Sequence, residues 1–500
     1  MNHNLLSRRQ VAKMCAAMAA AGTLRAGPEN PAILEAMKSV RAAIPKAESD
    51  PSRPVYHFHP PAYWNNDPNG TVWHKGWHHL FYQHNPYAAI WGHMHWGHAR
   101  SRDLVNWEHL PIALWPSREK GEEHVFSGGA IAGPDGRPWL FYTSIGERPP
   151  EQWLALPEDD ELIEWKKYPA NPILTLQIHG TVQVNEWRDP FLFREAGSTY
   201  MVCGGNLQPS GGRAAVQLYE AAGPDLTRWK YRGPVFEYRD RDVYNIECPN
   251  LFRLGTKWVL LMSPQKPCEY FVGDLDLARA KFLPQTHGTL DPGRSYASNI
   301  SFDNQGRCIL WLWGRTGTNP DRGWNNVMTL PRILSIGTDG YLRQTPAPEF
   351  ESLRRDAVDI PAMALKNQSV SMSHKISGDC LEFEAEFTAD SATSMGLKVR
   401  SGPAGTAGLE IAFNPENGVL SAGDARASVS LGKAIRLRGF LDKRAVEVYA
   451  NDGEAAIFTT TDAPPENTGL EVFATGGAAR LLFLRSWTLK PAGFSLDRFR

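Results

Sequence analysis

The stretch WNNDPNGTVWHKGWHHLFY, residues 64–82, contains a unit that recurs through the first two thirds of the chain. Two short apolar segments, residues 71–73 and 80–82, enclose a polar turn with Lys75 and Gly76, which is the pattern of a β-hairpin. The same pattern recurs at residues 130–142, 191–202, 251–260 and 300–311. Its spacing of about 50 to 60 residues is typical of the four-stranded blades of a β-propeller.

A second element recurs in phase with the hairpins. The pattern acid-Leu-x-x-Trp occurs at residues 103–107, 161–165 and 225–229, and a degraded copy lies around residues 276–282. A set of hairpins alone could form an ordinary sandwich, but two repeating elements in phase favour a propeller. The sequence therefore predicts an all-β chain with a five-bladed β-propeller.

Three acidic residues occupy similar positions just before three of these hairpins. Asp67 precedes Pro68, Asp189 precedes Pro190, and Glu247 lies two residues before Pro249. Residues that are equivalent by repeat become neighbours when blades are arranged around an axis. We therefore expect the three carboxylates to converge at one mouth of the central channel, and converging carboxylates are what cleavage of a glycosidic bond requires.

Length and composition limit the other possibilities. The chain of 500 residues is too long for one core, and its net charge of −1 without a basic stripe argues against a nucleic-acid partner. No apolar run of about 18 residues occurs, so no membrane span is predicted. The 6 cysteines show no paired spacing and are interpreted as buried free thiols.

We divide the chain into three parts. Residues 1–54 are interpreted as a Tat-type export signal and linker, because Arg8 and Arg9 precede a mildly apolar run; a basic helix on a cytoplasmic protein is the alternative. Residues 55–345 form the predicted propeller. Residues 366–490 show strict alternation, as in Leu381–Phe387, and are predicted as an antiparallel β-sandwich.

Seven segments in order resemble glycoside hydrolase family 32, the group of invertases, inulinases and levanases. They are WNNDPNG at 64–70, LFYQHNP at 80–86, the long segment at 91–114, VFSGGA at 125–130, WRDPFLF at 187–193, IECPNLF at 246–252 and MTLPR at 328–332. The segment at 441–454 is similar to the sandwich of that family. The resemblance covers residues 55 to 490 and implies a five-bladed propeller followed by a β-sandwich.

The resemblance also implies roles for particular residues. Asp67 would be the nucleophile, Glu247 the general acid and base, and Asp189 a stabiliser of the transition state that Arg188 keeps ionised. The residues expected to shape the fructose pocket are Asn66, Gln83, Trp91, Phe126, Ser127 and Arg188. Trp64 and Trp96 are further candidates for a flat sugar-binding face, whereas Trp107 and Trp165 belong to the repeat and are expected in the core.

The implied activity is a retaining hydrolysis of β-fructofuranosides such as sucrose, inulin or levan, without a cofactor. Three alternatives stay open: a fructosyltransferase, a hydrolase of another furanoside such as arabinan, and a sugar-binding protein without activity. One departure concerns Arg294-Ser295, where relatives carry an Asp-Phe pair before Tyr-Ala, and it suggests an altered leaving-group preference. Neither linkage preference nor oligomeric state follows from the sequence.

Histidines are concentrated in the first blade, where 9 of the 15 lie between His57 and His98. A metal site would need an ordered set of ligands, and this stretch shows no clear third ligand. We therefore favour structural hydrogen bonding for these histidines and predict no metal.

Overall fold

All five predicted hairpins are antiparallel strand pairs in the computed structural model, which describes residues 30–208, 212–240 and 242–499. The first sixteen strands form four successive sheets. They are β1 Tyr63–His74, β2 Trp77–Asn85, β3 His95–Ser101, β4 Trp107–Leu114; β5 Glu122–Ala132, β6 Pro138–Gly146, β7 Glu151–Pro157, β8 Trp165–Lys167; β9 Gln183–Glu195, β10 Ser198–Gln208, β11 Arg213–Ala221, β12 Trp229–Glu237; and β13 Glu247–Leu254, β14 Lys257–Ser263, β15 Cys268–Asp276, β16 Lys281–Asp291. Within each sheet every strand pairs with the next, as in propeller blades.

The fifth repeat forms a less regular sheet. Its strands are β17 Ser295–Phe302, β18 Cys308–Gly314, β20 Val327–Met328, β21 Arg332–Ile336 and β22 Leu342–Pro346, whereas β19 Trp324–Asn325, in the same stretch of chain, belongs to the first sheet. The segment after β18 interrupts the meander, because β19 pairs in parallel with β1 while β20 and β21 both pair with β18. The propeller is confirmed, but the predicted count of five blades is wrong: the described residues form four regular blades.

The remaining strands form one 11-stranded sheet and a short return to the propeller. They are β23 Arg354–Ile360, β24 Met363–Ser371, β25 Cys380–Ala389, β26 Ser394–Ser401, β27 Leu409–Asn414, β28 Val419–Ala422, β29 Ala425–Ser428, β30 Ala434–Asp442, β31 Ala445–Ala450, β32 Ala455–Thr460, β33 Gly469–Leu489 and β34 Phe494–Ser495. The long strand β33 pairs with β23, β24, β25 and β26, which joins two sandwich-like layers around an apolar core. This sheet takes in β23 and β24, which begin before residue 366.

A helix that the sequence analysis does not predict lies within the supposed linker. Helix α1, Pro31–Glu48, begins with Asn30, whose Oδ1 accepts a hydrogen bond of 2.9 Å from the backbone N–H of Ala32. Its buried face contains Ile33, Ala36, Met37 and Val40 and packs against residues of both domains, including Ile112 and Phe458. Residues 31–48 are therefore part of the folded core, whereas the proposed export motif lies outside the described residues.

No helix in the described ranges has the length and apolar character needed to cross a bilayer.

The acid-Leu-x-x-Trp elements are the turns that lead into the outermost strands β4, β8 and β12. The leucine of each turn has a positive φ: 62° at Leu104, 60° at Leu162 and 53° at Leu226. The tryptophans Trp107 and Trp165 are buried, as predicted, so this repeat builds the core of the blades rather than the site.

The inner strands of the sheets share an irregularity near one end. The ladder shifts register between Asn65 and Pro68 in β1, between Val125 and Gly128 in β5, and between Glu247 and Asn250 in β13. Strands β9 and β17 shift in the same region, next to Asp189 and Ala297. Since a β-bulge redirects a side chain out of the normal alternation, these bulges aim residues from separate sheets toward the same channel mouth.

Asparagine side chains fix the inner strands to one another below this mouth. Asn299 Oδ1 accepts from the Thr71 backbone N–H at 3.1 Å, which connects the fifth sheet to the first. Asn250 Oδ1 accepts from the Ile300 N–H at 3.1 Å, which connects the fourth sheet to the fifth. A close approach of the chain at Gly204 has a similar effect, since a Cβ there would lie 1.9 Å from the carbonyl oxygen of Ile246. Ile246, the residue before Glu247, therefore packs directly against β10.

Candidate active site

The three predicted acids do converge. The thiol of Cys248 lies 3.6 Å from Asp67 Oδ2 and 3.7 Å from Asp189 Oδ2, and Cys248 directly follows Glu247. The three carboxylates come from β1, β9 and β13, at the bulged ends of these inner strands. The repeat therefore predicted a real spatial relationship among residues that are far apart in sequence.

Asp67 is held by the pocket residues that the sequence predicts around it. Ser127 Oγ donates to Asp67 Oδ2 at 2.5 Å, and Asn66 Nδ2 donates to Asp67 Oδ1 at 3.0 Å. Desolvation raises the pKa of Asp67 above its ordinary value and the charge of Glu247 adds to this effect, while the hydrogen bonds from Ser127 and Asn66 oppose it. These bonds fix the position of the carboxylate and favour its ionised form.

A chain of amide and hydroxyl groups orients these donors. Gln83 Nε2 donates to Ser127 Oγ at 2.9 Å, so the Ser127 proton is directed at Asp67. Asn66 Nδ2 also donates to Gln83 Oε1 at 2.7 Å, and Trp64 Nε1 donates to Asn66 Oδ1 at 2.8 Å. Asn66, Gln83 and Ser127 thus form one hydrogen-bonded network around Asp67.

Asp189 is buried beside the other two acids in a strained backbone conformation. Its φ is 63°, its N–H donates to Thr143 Oγ1 at 3.0 Å, and its Oδ2 accepts from the Cys248 N–H at 2.9 Å. Burial raises its pKa to about 7, and the charge of Arg188 reduces this rise without cancelling it. Arg188, whose Nε lies 4.0 Å from Asp189 Oδ2, favours the ionised form of Asp189 as expected, but desolvation is the larger influence on this pKa.

Arg188 instead pairs most closely with two glutamates. Its Nη2 donates to Glu247 Oε1 at 2.7 Å, and its Nη1 donates to Glu186 Oε2 at 2.6 Å. The other oxygen of Glu247 accepts a short hydrogen bond from the hydroxyl of Tyr296. Glu247 is thus held from two sides, by a cation on β9 and by a phenol on β17.

Tyr296 is the site residue that the sequence analysis missed. It appears there only as part of the altered Arg294-Ser295 loop. A signal was available, because Tyr296 lies four residues before the hairpin that starts at Ile300, as Asp67 lies four before Thr71 and Glu247 four before Leu251. The same position in the second blade is Phe126.

Aromatic residues border the opening. Trp91 is 50% exposed and its ring lies 6.2 Å from that of Phe126 at an angle of 82°. Trp96, by contrast, is fully buried and donates from Nε1 to the Phe126 carbonyl oxygen at 3.1 Å, so it offers no sugar-binding face. Trp64 is also buried and packs edge-on against Trp313, with ring centres 5.8 Å apart. Of the three candidate tryptophans, Trp91 presents an accessible surface.

The histidines of the first blade make structural contacts. His79 Nδ1 and His98 Nε2 lie 3.0 Å apart, and His84 Nδ1 lies 2.7 Å from the Trp64 carbonyl oxygen. Burial lowers the pKa of His84 to about 4. Across the residues that the structure describes, no three His, Cys, Asp or Glu side chains are grouped as metal ligands.

Comparisons with known proteins agree with this arrangement. The model of the glycosyl hydrolases family 32 N-terminal domain matches residues 57–346, and that of the family 32 C-terminal domain matches residues 349–489. A levanase of Bacillus subtilis is 30% identical over 88% of this chain and 70% of its own length. A sucrose-6-phosphate hydrolase of Escherichia coli is 29% identical over 91% of this chain and 99% of its own.

A solved structure extends the comparison to the fold. Fructan 1-exohydrolase IIa from Cichorium intybus superimposes with a TM-score of 0.81 at 26% identity, covering 89% of this chain and 98% of that one. Because the two family models together match both the propeller and the C-terminal sheet, the chain belongs to glycosyl hydrolases family 32 and is a glycosidase.

Proposed function

We propose that the chain is a retaining β-fructofuranosidase that releases fructose from sucrose or a fructan by double displacement. The observation that carries this proposal is the position of the Cys248 thiol within 3.7 Å of both Asp67 and Asp189, next to Glu247. Together with the influence of the Glu247 charge on both Asp67 and Asp189, it supports a site in which three carboxylates surround one small volume. The names of the relatives, which include a levanase and a fructan exohydrolase, give the substrate class.

In the first step Asp67 attacks the anomeric carbon of the fructosyl unit while Glu247 gives its proton to the glycosidic oxygen. The bond between carbon and oxygen breaks, the leaving sugar departs neutral, and a fructosyl ester forms on Asp67. Glu247 is then ionised and accepts two hydrogen bonds, from Arg188 and Tyr296. These donors stabilise the charge that the step creates on Glu247.

In the second step Glu247 takes a proton from water, which attacks the anomeric carbon and releases Asp67. The transition state of both steps has oxocarbenium character. Asp189 in its ionised form accepts hydrogen bonds from the fructose hydroxyls, and these strengthen as positive charge develops on the ring. Trp91 offers an apolar face to the sugar at the opening.

Two further proposals concern the chain as a whole. We infer a propeller over residues 55–345 and a separate sandwich domain over 366–490; the boundary between the two family models, at residues 346 and 349, supports a division in this region. We also propose export to the periplasm or the medium, for which the Arg8-Arg9 motif is the support.

The test is fructose release from sucrose, inulin and levan by the parent enzyme and by the Asp67→Asn and Glu247→Gln variants. We expect release by the parent, none by D67N, and a loss of about 10²–10⁴-fold by E247Q, the usual contribution of a general acid. Asp225→Asn is the matched control, because Asp225 is an exposed acid of the blade repeat. Proton NMR of the first-formed fructose should show retention. Inverted product, or full activity in D67N, would exclude this mechanism.

A further inference from the structure

Arg315 lies beside the site although no motif contains it. It follows β18, its side chain is exposed, and its Cζ lies 5.6 Å from the centre of the Tyr296 ring and 5.9 Å from that of Trp313. Within the described part of the chain, none of the ion pairs involves Arg315, whereas Arg188 at the site is paired with Glu186 and Glu247. Its charge is therefore directed at aromatic rings.

The guanidinium is also fixed to the segment that begins β17. Arg315 Nε donates to the carbonyl oxygen of Arg294 at 3.2 Å, and Nη2 donates to that of Ser295 at 3.5 Å. The backbone N–H of Arg315 donates to the same Arg294 carbonyl at 2.9 Å. These acceptors are main-chain atoms, so the contact does not depend on the side chains at 294 and 295, where the chain departs from the pattern of its relatives.

Tyr296 has two acceptors for a single proton. Its hydroxyl donates to Glu247 Oε2 and lies 3.1 Å from the Ser263 carbonyl oxygen, and it accepts from the Gln265 N–H at 3.0 Å. Burial and the charge of Glu247 raise the Tyr296 pKa, so the phenol keeps its proton. The hydroxyl can donate to Glu247 or to Ser263, but not to both at once.

We propose that Arg315 is a positioning residue of the reaction, because it holds the ring of Tyr296 in place. The Tyr296 hydroxyl then donates to Glu247 when Glu247 is ionised, and to the Ser263 carbonyl oxygen when Glu247 is protonated. This inference rests on the proposed role of Glu247 as acid and base. Before the first step the protonated carboxyl has its own hydrogen for the glycosidic oxygen. Once that proton has left, the Tyr296 hydroxyl turns to Glu247 and stabilises the new carboxylate.

The other charged groups around Glu247 stay constant in this scheme. Arg188 on β9 donates to the opposite oxygen, and Asp67 on β1 and Asp189 on β9 contribute negative charge from the channel side. Tyr296 is thus the uncharged donor whose hydrogen bond can move. For the hydroxyl to change acceptor, the Tyr296 ring must stay in place. Arg315 holds it there, because its cation lies over the ring and its guanidinium is bonded to the main chain at Arg294.

The experiment compares two substrates and five variants, of which one is a control. Sucrose needs protonation of its leaving group, whereas p-nitrophenyl β-fructofuranoside has a leaving group that departs without it, and kcat/KM reports the first step for both. For Arg315→Met we expect kcat/KM on sucrose to fall about three- to fivefold, as for loss of a cation–π contact at an exposed site, with less than about twofold change on the nitrophenyl substrate. Arg315→Lys should recover part of the loss, since lysine keeps the charge but not the two-pronged contact.

A double-mutant cycle decides whether Arg315 acts through Tyr296. In a Tyr296→Phe background, Arg315→Met should change kcat/KM on sucrose by less than about twofold, because residues that act as one unit are not additive. Arg102→Met is the matched control: Arg102 lies 4.0 Å over the Trp77 ring, and no ion pair in the described ranges involves it. This variant should retain parental activity.

Three results would overturn the inference. Equal losses on both substrates would show that Arg315→Met only reduces the amount of folded enzyme. Additive losses in the Tyr296→Phe background would show that Arg315 acts independently of Tyr296. A parent that releases fructose from neither substrate would overturn the proposed function together with this inference, and that outcome is distinct from a parent that is active but insensitive to Arg315→Met.

Discussion

The guanidinium of Arg188 contacts the carboxylate of Glu247, which is 59 residues away, at 2.7 Å, whereas its Nε is 4.0 Å from the carboxylate of its neighbour Asp189. The side chain bridges two inner strands and holds both Glu186 and Glu247 with separate nitrogens. A planar fork with fixed donors suits this bridging role, and an ammonium group does not.

We therefore expect Arg188→Lys to lower kcat by about 10- to 100-fold, the equivalent of one charge-assisted hydrogen bond worth about 1.5–3 kcal/mol. Steady-state kinetics on sucrose measure the change. Arg232→Lys is the control, because Arg232 forms a comparable ion pair with Glu220 at a distance from the site. Unchanged turnover in R188K would show that the guanidinium geometry has no part in catalysis.

Asp189→Asn should stabilise the fold while abolishing efficient turnover. Folding raises the Asp189 pKa to about 7, so the folded state favours the protonated form and the buried carboxylate costs stability as pH rises. The gain in free energy of unfolding should be a few kcal/mol at pH 8, since each pKa unit corresponds to about 1.4 kcal/mol, and it should vanish near pH 3. Urea unfolding at both pH values tests this, and a variant less stable at pH 8 would contradict it.

His57 links the two domains, and its raised pKa makes stability fall with rising pH in the same direction as that of Asp189. Its Nδ1 lies 2.9 Å from Asp442 and its Nε2 lies 3.2 Å from Glu447. Burial alone would lower its pKa, but the two carboxylates raise it to about 9. A histidine whose pKa rises on folding stabilises the protein below its unfolded value of about 6.5, and this contribution is lost as pH rises through about 9.

The measurement is the free energy of unfolding of the parent and of His57→Asn from pH 6 to pH 10. We expect their difference to shrink across this range by an amount on the order of 3 kcal/mol. His374→Asn is the control, because His374 is exposed. A difference that stays constant with pH would mean that His57 is neutral in the folded protein.

Helix α1 should contribute to global stability. Met37 is fully buried in an apolar cluster that includes residues of both domains, so Met37→Ala should cost about 2–5 kcal/mol, as for other large-to-small changes in a core. Lys38→Ala, one residue on and exposed, should change stability by less than about 0.5 kcal/mol. Thermal unfolding of the two variants compares them directly, and equal midpoints would show that the helix is dispensable.

Features of the fold that are set by residues close together in the sequence were predictable, whereas features set by contacts between distant segments were not. The hairpins and the acid-Leu-x-x-Trp turns follow from local patterns, so their positions in the sequence predict strands such as β1 and β2 correctly. The fifth sheet was mispredicted because β19 pairs with β1, more than 200 residues away, and no local pattern shows this. Helix α1 was missed although its apolar residues Ile33, Ala36, Met37 and Val40 have helical spacing.

The sequence by itself determined that Asp67, Asp189 and Glu247 lie together, because equivalent positions of a repeat must become neighbours around an axis. Only the tertiary structure decided which groups touch each of them. Arg188 pairs with Glu247 more closely than with Asp189, and Tyr296 supplies the second donor to Glu247. The physical reason is that hydrogen bonds are set within a few tenths of an ångström by the β-bulges of separate strands, whereas the repeat fixes only which blade a residue belongs to.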